Sequence, residues 1–302
     1  MKIMVTGGTG FIGSHIVDLL IKNNYDVCVI DNLSHSEIEN INPKAKFYKC
    51  DILDPTVYKI FEVEKPDIVV HEAAQISNDY SISNPIKDAS INIIGTLNLL
   101  ESAKNVKAKK FIYASSAAVF GEPSYLPIDE NHSLNMISNY GVSKHTPEHY
   151  LNVYRKLYNI PYCVLRYSNV YGPRQLSSSG GGVVSIFCNK IIKNQPPYIY
   201  GDGKQIRDFV YVKDVARANL LAIKNTCEGI FNVCSGQKIS INELFKIIAS
   251  ILNKKLQPIY TENKLGDLVI SYMTYQKIFK KMGWKPIYDI FEGIKETLEF
   301  YQ

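Results

Sequence analysis

Short, wholly apolar runs alternate with longer amphipathic stretches along the first half of the chain. KIMVT (2–6), DVCVI (26–30), KFYKC (46–50), DIVVH (67–71), KFIYAS (110–115) and YCVLRY (162–167) have strand length. Between several of them lie stretches of helical length and period at 11–22, 55–63, 85–104 and 138–158. Strands without polar alternation suit a parallel sheet covered by helices on both faces, so this half predicts a doubly wound α/β fold. After Tyr167 the rhythm changes to a loop, GPRQLSSSGGG (172–182), a helix near 183–193, and a segment punctuated by glycine and proline, PPYIYGDGKQIRDFVYV (196–212). DVARANLLAI and GIFNV (229–233) read as one more helix and strand returning to the sheet, and ISINELFKIIASIL begins the rest of a smaller lobe. The expected division is 1–167 with about 208–234 in the sheet domain, and about 168–207 with 235–302 in a smaller α/β lobe.

The first strand runs into TGGTGFIGSH, with glycines at 7, 10 and 13 at the opening of the first helix. Gly7 permits the tight turn, Gly10 lets backbone amides approach a pyrophosphate, and Gly13 lets the helix sit close on the sheet. The helix N-terminus supplies free N–H groups and the positive end of its dipole. Asp31 closes the second strand, where a carboxylate bonds the ribose hydroxyls of adenosine and repels a 2′-phosphate. Together these features predict a Rossmann-like site for NAD rather than NADP.

Two further features bear on chemistry. Ser115 and Ser116 stand at the end of the fifth strand, and Tyr140 and Lys144 in NYGVSK are four residues apart, hence on one helical face. A phenol is a base near neutral pH only if its pKa falls, and an ammonium one turn away together with the positive nicotinamide would lower it. HTPEH (145–149) matches a zinc-protease pattern, but Pro147 is expected to distort the turn that must bring both imidazoles to one metal, so no metal is expected.

Composition narrows the setting. The 302 residues are 46% hydrophobic and 21% charged, and the net charge of +5 is scattered rather than gathered, which argues against a nucleic-acid partner. The six cysteines form no CxxC pair and no ligand spacing. No basic leader or apolar stretch of membrane-spanning length is visible, so a cytoplasmic protein with no membrane association is expected.

TGGTGFIG, HEAAQ, NIIGTLNLLE, SSAAVFG, YGVSK, RYSNVYGPRQ and GDGKQIRDFVYVKDVA occur in this order over nearly the whole chain. In this the sequence resembles the extended short-chain dehydrogenases/reductases, and among them the UDP-glucose 4-epimerases. The resemblance implies NAD-dependent epimerisation at C4 of a UDP-hexose, of glucose/galactose type and also of the 2-acetamido type, through a transient 4-keto sugar. It makes Tyr140 the base, Lys144 the group that holds the nicotinamide ribose, and Ser116 the hydroxyl against the reacting oxygen. It adds Phe11, Ile12, Asn32, Asp51, Ile52, Ala73, Ala74, Asn92, Ser115 and Tyr167 to the cofactor site.

For the substrate it implies Asn169 and Arg207 at the diphosphate, Lys264 where relatives carry an arginine, and Asp267 at the uridine ribose. Tyr198 and Tyr200 lie in the uracil-reading segment, and Gly182, Val183 and Ser271 border the sugar. Small residues at 182 and 271 imply a roomy sugar pocket. Sugar-nucleotide dehydratases of this fold carry an Asp-Glu pair where this chain has Ala117 and Ala118, so elimination is disfavoured. The resemblance also implies a homodimer through helices 85–104 and 138–158. Glu72 replaces a residue that is usually neutral. The competing readings are another NAD-dependent UDP-sugar enzyme, such as a uronate epimerase or 4-keto reductase, and a non-catalytic NAD sensor, which would not need Ser116, Tyr140 and Lys144.

Overall fold

The computed structural model describes residues 1–177, 181–263 and 268–302. Six strands succeed one another through the first half: β1 (Lys2–Thr6), β2 (Asp26–Asp31), β3 (Lys46–Lys49), β4 (Ile68–His71), β5 (Lys110–Ser116) and β6 (Tyr162–Tyr167). After the short β7 (Asn169–Tyr171), β8 (Tyr198–Tyr200), β9 (Ile206–Arg207) and β10 (Phe209–Tyr211), strand β11 (Gly229–Val233) returns to pair with β6. The parallel sheet has the order β11-β6-β5-β4-β1-β2-β3. Its direction of growth reverses between β1 and β4, the crevice where sheets of this type bind nucleotides.

The absence of polar alternation in the strands has its cause here. Ile3 and Val5 of β1 pack toward α1 (Phe11–Lys22), while Met4 faces the opposite core with Phe61 of α2 (Thr56–Glu64). Behind that second face lie α3 (Asn78–Ser83), α4 (Pro85–Ala89), α5 (Gly95–Asn105) and α6 (Asn139–Tyr158). The helix expected over 85–104 is interrupted by one π-helical turn, Ser90–Ile94, which carries the buried Asn92. Such a turn rotates the next length of helix and commonly marks a functional position.

The smaller lobe has its own core, in which α7 (Val183–Ile192) and the later α9 (Ile241–Ile251) and α11 (Ile290–Tyr301) pack on β7 and β10. Its short strands pair locally: β10 with β7, β12 (Ile239–Ser240) with β9, and β13 (Ile259–Thr261) with β8. Helix α8 (Val212–Lys224) covers the large sheet beside α1. Its C-terminal end receives the buried Lys110 of β5, whose ammonium donates to the carbonyls of Ala222, Asn225 and Cys227 at 2.7, 2.8 and 2.9 Å. A cation suits that end of a helix. The sequence pattern did not single out α3, α10 (Gln276–Met282) or α11. For α11 a signal was present, since Asp289 and Glu292 close a reciprocal capping box.

Candidate active site

The loop between β1 and α1 is built for close approach. Gly7 has φ +69°, its N–H donates to Ile30 O, and a β-carbon there would stand 2.6 Å from Ala73 N. At Gly13 a β-carbon would run into the Gly7 carbonyl oxygen. Gly10 is the N-cap of α1 and provides no side-chain cap, so the first N–H groups of the helix, from Phe11 and Ile12 onward, are left for an anion. Asp31 accepts from Thr9 N at 3.1 Å and Leu33 N at 2.9 Å, which ties the end of β2 to this loop. Asn32 donates to Asp51 at 2.9 Å, and buried Ile52 lies against Gly95. On the other side of the crevice the N–H groups of Glu72 and Ala73 both donate to Thr6 O at 3.1 Å, and Ala74 comes next, half-buried. These residues fit NAD: a glycine cradle closed to any β-carbon, an uncapped helix start and an acid closing β2.

At the C-terminal end of β5 the two serines part company. Ser115 is buried and donates to Glu148 Oε1 at 2.7 Å, behind the sheet. Its hydroxyl is therefore committed inside the fold, which leaves its backbone for the cofactor role expected of it. Ser116 instead is half-buried, with its Oγ accepting from Ala118 N at 3.2 Å, and its hydroxyl acts on the Tyr140 phenol. Ser138 caps α6 by accepting from Gly141 N at 3.0 Å, and Tyr140 N donates to Ser81 Oγ at 3.2 Å, so the first turn carrying the phenol is held from two sides. Lys144, one turn on, is buried with its ammonium 4.7 Å from the centre of the Tyr113 ring. Asn92 is also a positioning residue rather than a surface contact. Its amide nitrogen donates to Gln75 O at 3.1 Å and Ser143 Oγ at 2.9 Å while its oxygen accepts from Gln75 N at 2.8 Å, joining the π-helical turn to α6.

The charges around this end are unusual. Burial pushes the Tyr140 phenol up to about 12; the Ser116 hydroxyl pulls it down, and the charges of Asp88 and Glu72 push it further up. The lowering expected from Lys144 is absent among these effects, so the protein alone leaves Tyr140 protonated at neutral pH. Lys144 is itself pulled down by burial and held up by Glu72, Glu148 and Asp88. Glu72 is the reverse, raised by burial and lowered by the Tyr167 hydroxyl, which donates to its Oε1 at 2.8 Å, and by Lys144. His71 stands between Thr6 Oγ1 and Thr96 Oγ1 at 2.8 and 2.9 Å, and burial drives its pKa well below its usual range, so it is neutral.

The smaller lobe carries the remaining described residues. Asn169 is exposed and pairs with Asp208 O through both its N–H and its side chain, at 3.0 and 3.1 Å. Arg207 lies on β9, and Ser271 N donates to Ile206 O at 3.0 Å, which brings the Ser271 backbone beside that strand. Tyr198 and Tyr200 project together from β8, both exposed, with Ile199 buried between them. Val183 opens α7 after Gly182. A β-carbon at Gly182 would meet Gln175 Nε2 at 2.7 Å, so the Gln175 side chain lies against that glycine. Tyr272, next to Ser271, is held aside with its ring under the Lys238 ammonium at 4.5 Å. Lys264 and Asp267 lie outside the described residues.

HTPEH needs a correction. Helix α6 runs unbroken through Pro147, and His145 Nε2 and His149 Nε2 come within 2.9 Å. What withholds the third ligand is Glu148, whose carboxylate takes Arg166 Nε at 3.0 Å and Nη2 at 2.6 Å besides Ser115. Among the described residues no cluster of three or more metal-ligating side chains exists. Glu72 and its partner Tyr167 escaped the sequence reading as a pair because 95 residues separate them.

Comparison with known proteins accords with this geometry. Residues 3–234 match the family model described as the NAD dependent epimerase/dehydratase family. A putative UDP-glucose 4-epimerase of Methanocaldococcus jannaschii is 48% identical over 99% of this chain and 97% of its own. The crystal structure of a UDP-glucose 4-epimerase from Thermotoga maritima with UDP-glucose superposes with a TM-score of 0.98 at 42% identity, covering 100% of this chain and 98% of that one. A UDP-N-acetylglucosamine 4-epimerase from Methanobrevibacter ruminantium, in complex with UDP-N-acetylmuramic acid, gives 0.95 at 38%, covering 99% and 97%. With the glycine cradle, Asp31 and the Ser116–Tyr140–Lys144 arrangement in one cleft, this chain belongs to the NAD-dependent epimerase/dehydratase family.

Proposed function

We propose that the protein interconverts the two C4 epimers of a UDP-hexose, using NAD as a resident cofactor that is regenerated in each cycle. Ser116 and Tyr140 meet the sugar 4-hydroxyl, and the phenolate takes its proton; Lys144 steadies the ribose end of the cofactor and adds positive charge. Bound NAD supplies the acceptor and donor of the C4 hydride. The same phenol returns the proton when hydride comes back to the other face of the 4-keto sugar, so atoms and electrons balance with no net oxidation.

The observation that carries this reading is that the Ser116 hydroxyl acts on the Tyr140 phenol, one turn before the buried Lys144, with Ala117 and Ala118 directly after the serine. Methyl groups cannot protonate a leaving hydroxyl, so the site holds the groups for alcohol oxidation and lacks there the acid that dehydration needs. Because the protein alone raises the Tyr140 pKa, the cationic cofactor ring is the charge that would bring the phenol into working range. Asn169 and Arg207 would hold the diphosphate, Lys264 and Asp267 would contribute from their segment, and Tyr198 and Tyr200 border the nucleoside. Ser271 faces the sugar side and Gln175 narrows it, so both unmodified and 2-acetamido hexoses are candidate substrates.

The protein is further proposed to work in the cytoplasm as a homodimer. Ile86, Ile94, Val142, Tyr150, Val153 and Leu157 are exposed apolar residues along the two helical segments expected to pair, and all six cysteines are free. Incubating purified protein with UDP-glucose, UDP-N-acetylglucosamine and UDP-glucuronate separately, without added cofactor, should yield the 4-epimer of at least one of the first two. Turnover of the uronate alone, or a requirement for stoichiometric NADH, would reject the reading.

A further inference from the structure

Glu72 sits in the crevice, half-buried and directly after the neutral His71, where a carboxylate has no evident part in folding. The buried Tyr167 hydroxyl accepts from Asn219 Nδ2 at 2.8 Å and donates to Glu72, a bond that a neutral oxygen acceptor could equally take. The bond from Tyr167 nevertheless fixes the acid, at 2.8 Å, on the side of the crevice whose backbone packs against Gly7. Among the described residues, the charged and titratable groups that face this end are few. Lys144 and Tyr140 come from α6; Tyr167 comes from β6; Asp88 of α4 is occupied by Gln75 and Asn92 at 2.6 and 3.3 Å. The Glu72 charge is felt by both members of the Tyr140–Lys144 pair, raising each.

A nicotinamide ring is cationic when oxidised and neutral when it carries the hydride. Cations around it favour the reduced form and anions the oxidised form. Lys144 acts in the first direction. A reaction that sends hydride out and takes it back gains nothing from a cofactor biased toward the reduced state, because the 4-keto sugar then lingers and can escape.

We propose that Glu72 is a positioning residue that counterbalances Lys144: an anion held by the Tyr167 hydroxyl at the reacting end of the cleft, favouring oxidised over reduced cofactor. This rests on the family's cofactor and on Tyr140 marking the reacting end; it does not depend on which sugar is turned over. Taking the ring from oxidised to reduced adds two electrons and a proton as hydride, and Glu72 itself gains or loses nothing.

The test equilibrates the holoprotein with mixtures of NAD+ and NADH of known ratio, removes free nucleotide, and reads the bound reduced fraction from the near-ultraviolet absorbance of the dihydronicotinamide. Burial raises Glu72 to about 7, so the comparison is made at a pH above that value, where the carboxylate is ionised; there Glu72→Gln should raise the bound NADH:NAD+ ratio at a given mixture by about tenfold, the order expected for one charge acting across a partly buried site. Glu72→Leu should do the same if the amide variant does not accumulate as folded protein. Tyr167→Phe removes the bond that lowers the Glu72 pKa, so it should shift the ratio in the same direction, and the shift should shrink as pH is raised and the carboxylate ionises without that bond. An unchanged ratio in a folded neutral variant overturns the proposal, as does a Tyr167→Phe shift equally large at every pH, which would mark the effect as packing. Failure of the wild type to epimerise any UDP-sugar would strike the proposed reaction and leave this ratio standing.

Discussion

Ser115 and Ser116 are neighbours at the end of β5, and the regions they enter differ in almost every respect. Behind the sheet, Ser115 joins Glu148, Arg166 and His145 in a buried network in which nearly every polar atom is paired. Burial alone would push the Glu148 carboxyl up, but bonds from His145 and Arg166, the charge of Arg166 and the bond from Ser115 hold it down to about 2. In front of the sheet, Ser116, Tyr140, Lys144 and Glu72 have fewer partners than they have capacity, and burial wins: the phenol and the acid rise and the ammonium falls. Similar chemical groups become scaffold where their bonds are complete and become reactive where they are left short.

The comparison can be broken most sharply from the open side. Tyr140→Phe should reduce turnover roughly a thousandfold, the scale of a lost general base, with the melting temperature nearly unchanged; steady-state kinetics beside calorimetry separates the two. The saturated side should answer in stability instead. Glu148→Gln strands the buried Arg166 guanidinium, which already has one unpartnered nitrogen, and should destabilise the fold by about 3–5 kcal/mol in urea titration.

A smaller contrast lies between the serines themselves. Ser116→Ala should lower kcat by about ten- to a hundredfold. Ser115→Ala should lower stability by about 1 kcal/mol while each folded molecule keeps its turnover. Equal effects on kcat would erase the distinction between the two faces.

Acid gives the mildest test. A carboxyl held below its ordinary value stabilises the fold at pH above that value, and the contribution is lost as pH falls through the depressed one. The Glu148 contribution should therefore be complete above pH 4.5 and fade toward about pH 2, with Glu64, also held down to about 2, fading in the same window. A flat unfolding free energy across that window would contradict the pairing.

The large sheet was legible because its signals are local. Strands buried on both faces must be apolar throughout, and β1 to β6 stand within a residue or two of the runs that announced them. Helix α6 was legible from its period, and Tyr140 and Lys144 from their spacing within it. The small strands of the second lobe and helix α10 are too short to carry a clear period, whereas α11 carried both an amphipathic period and a capping box that the reading passed over.

The amino-acid order by itself determined the glycine cradle, the acid closing β2, and a serine, a tyrosine and a lysine available to one cleft; each depends on residues close along the chain or on one repeating period. Only the tertiary structure decided that Ser115 is tied to Glu148 behind the sheet, that a π-helical turn carries Asn92 inward, that Gln175 lies against Gly182, and that Tyr167 holds Glu72. These depend on side chains brought together from different elements, some nearly a hundred residues apart. No local pattern encodes such meetings, because packing, and not propensity, sets what each buried polar group has left to bond.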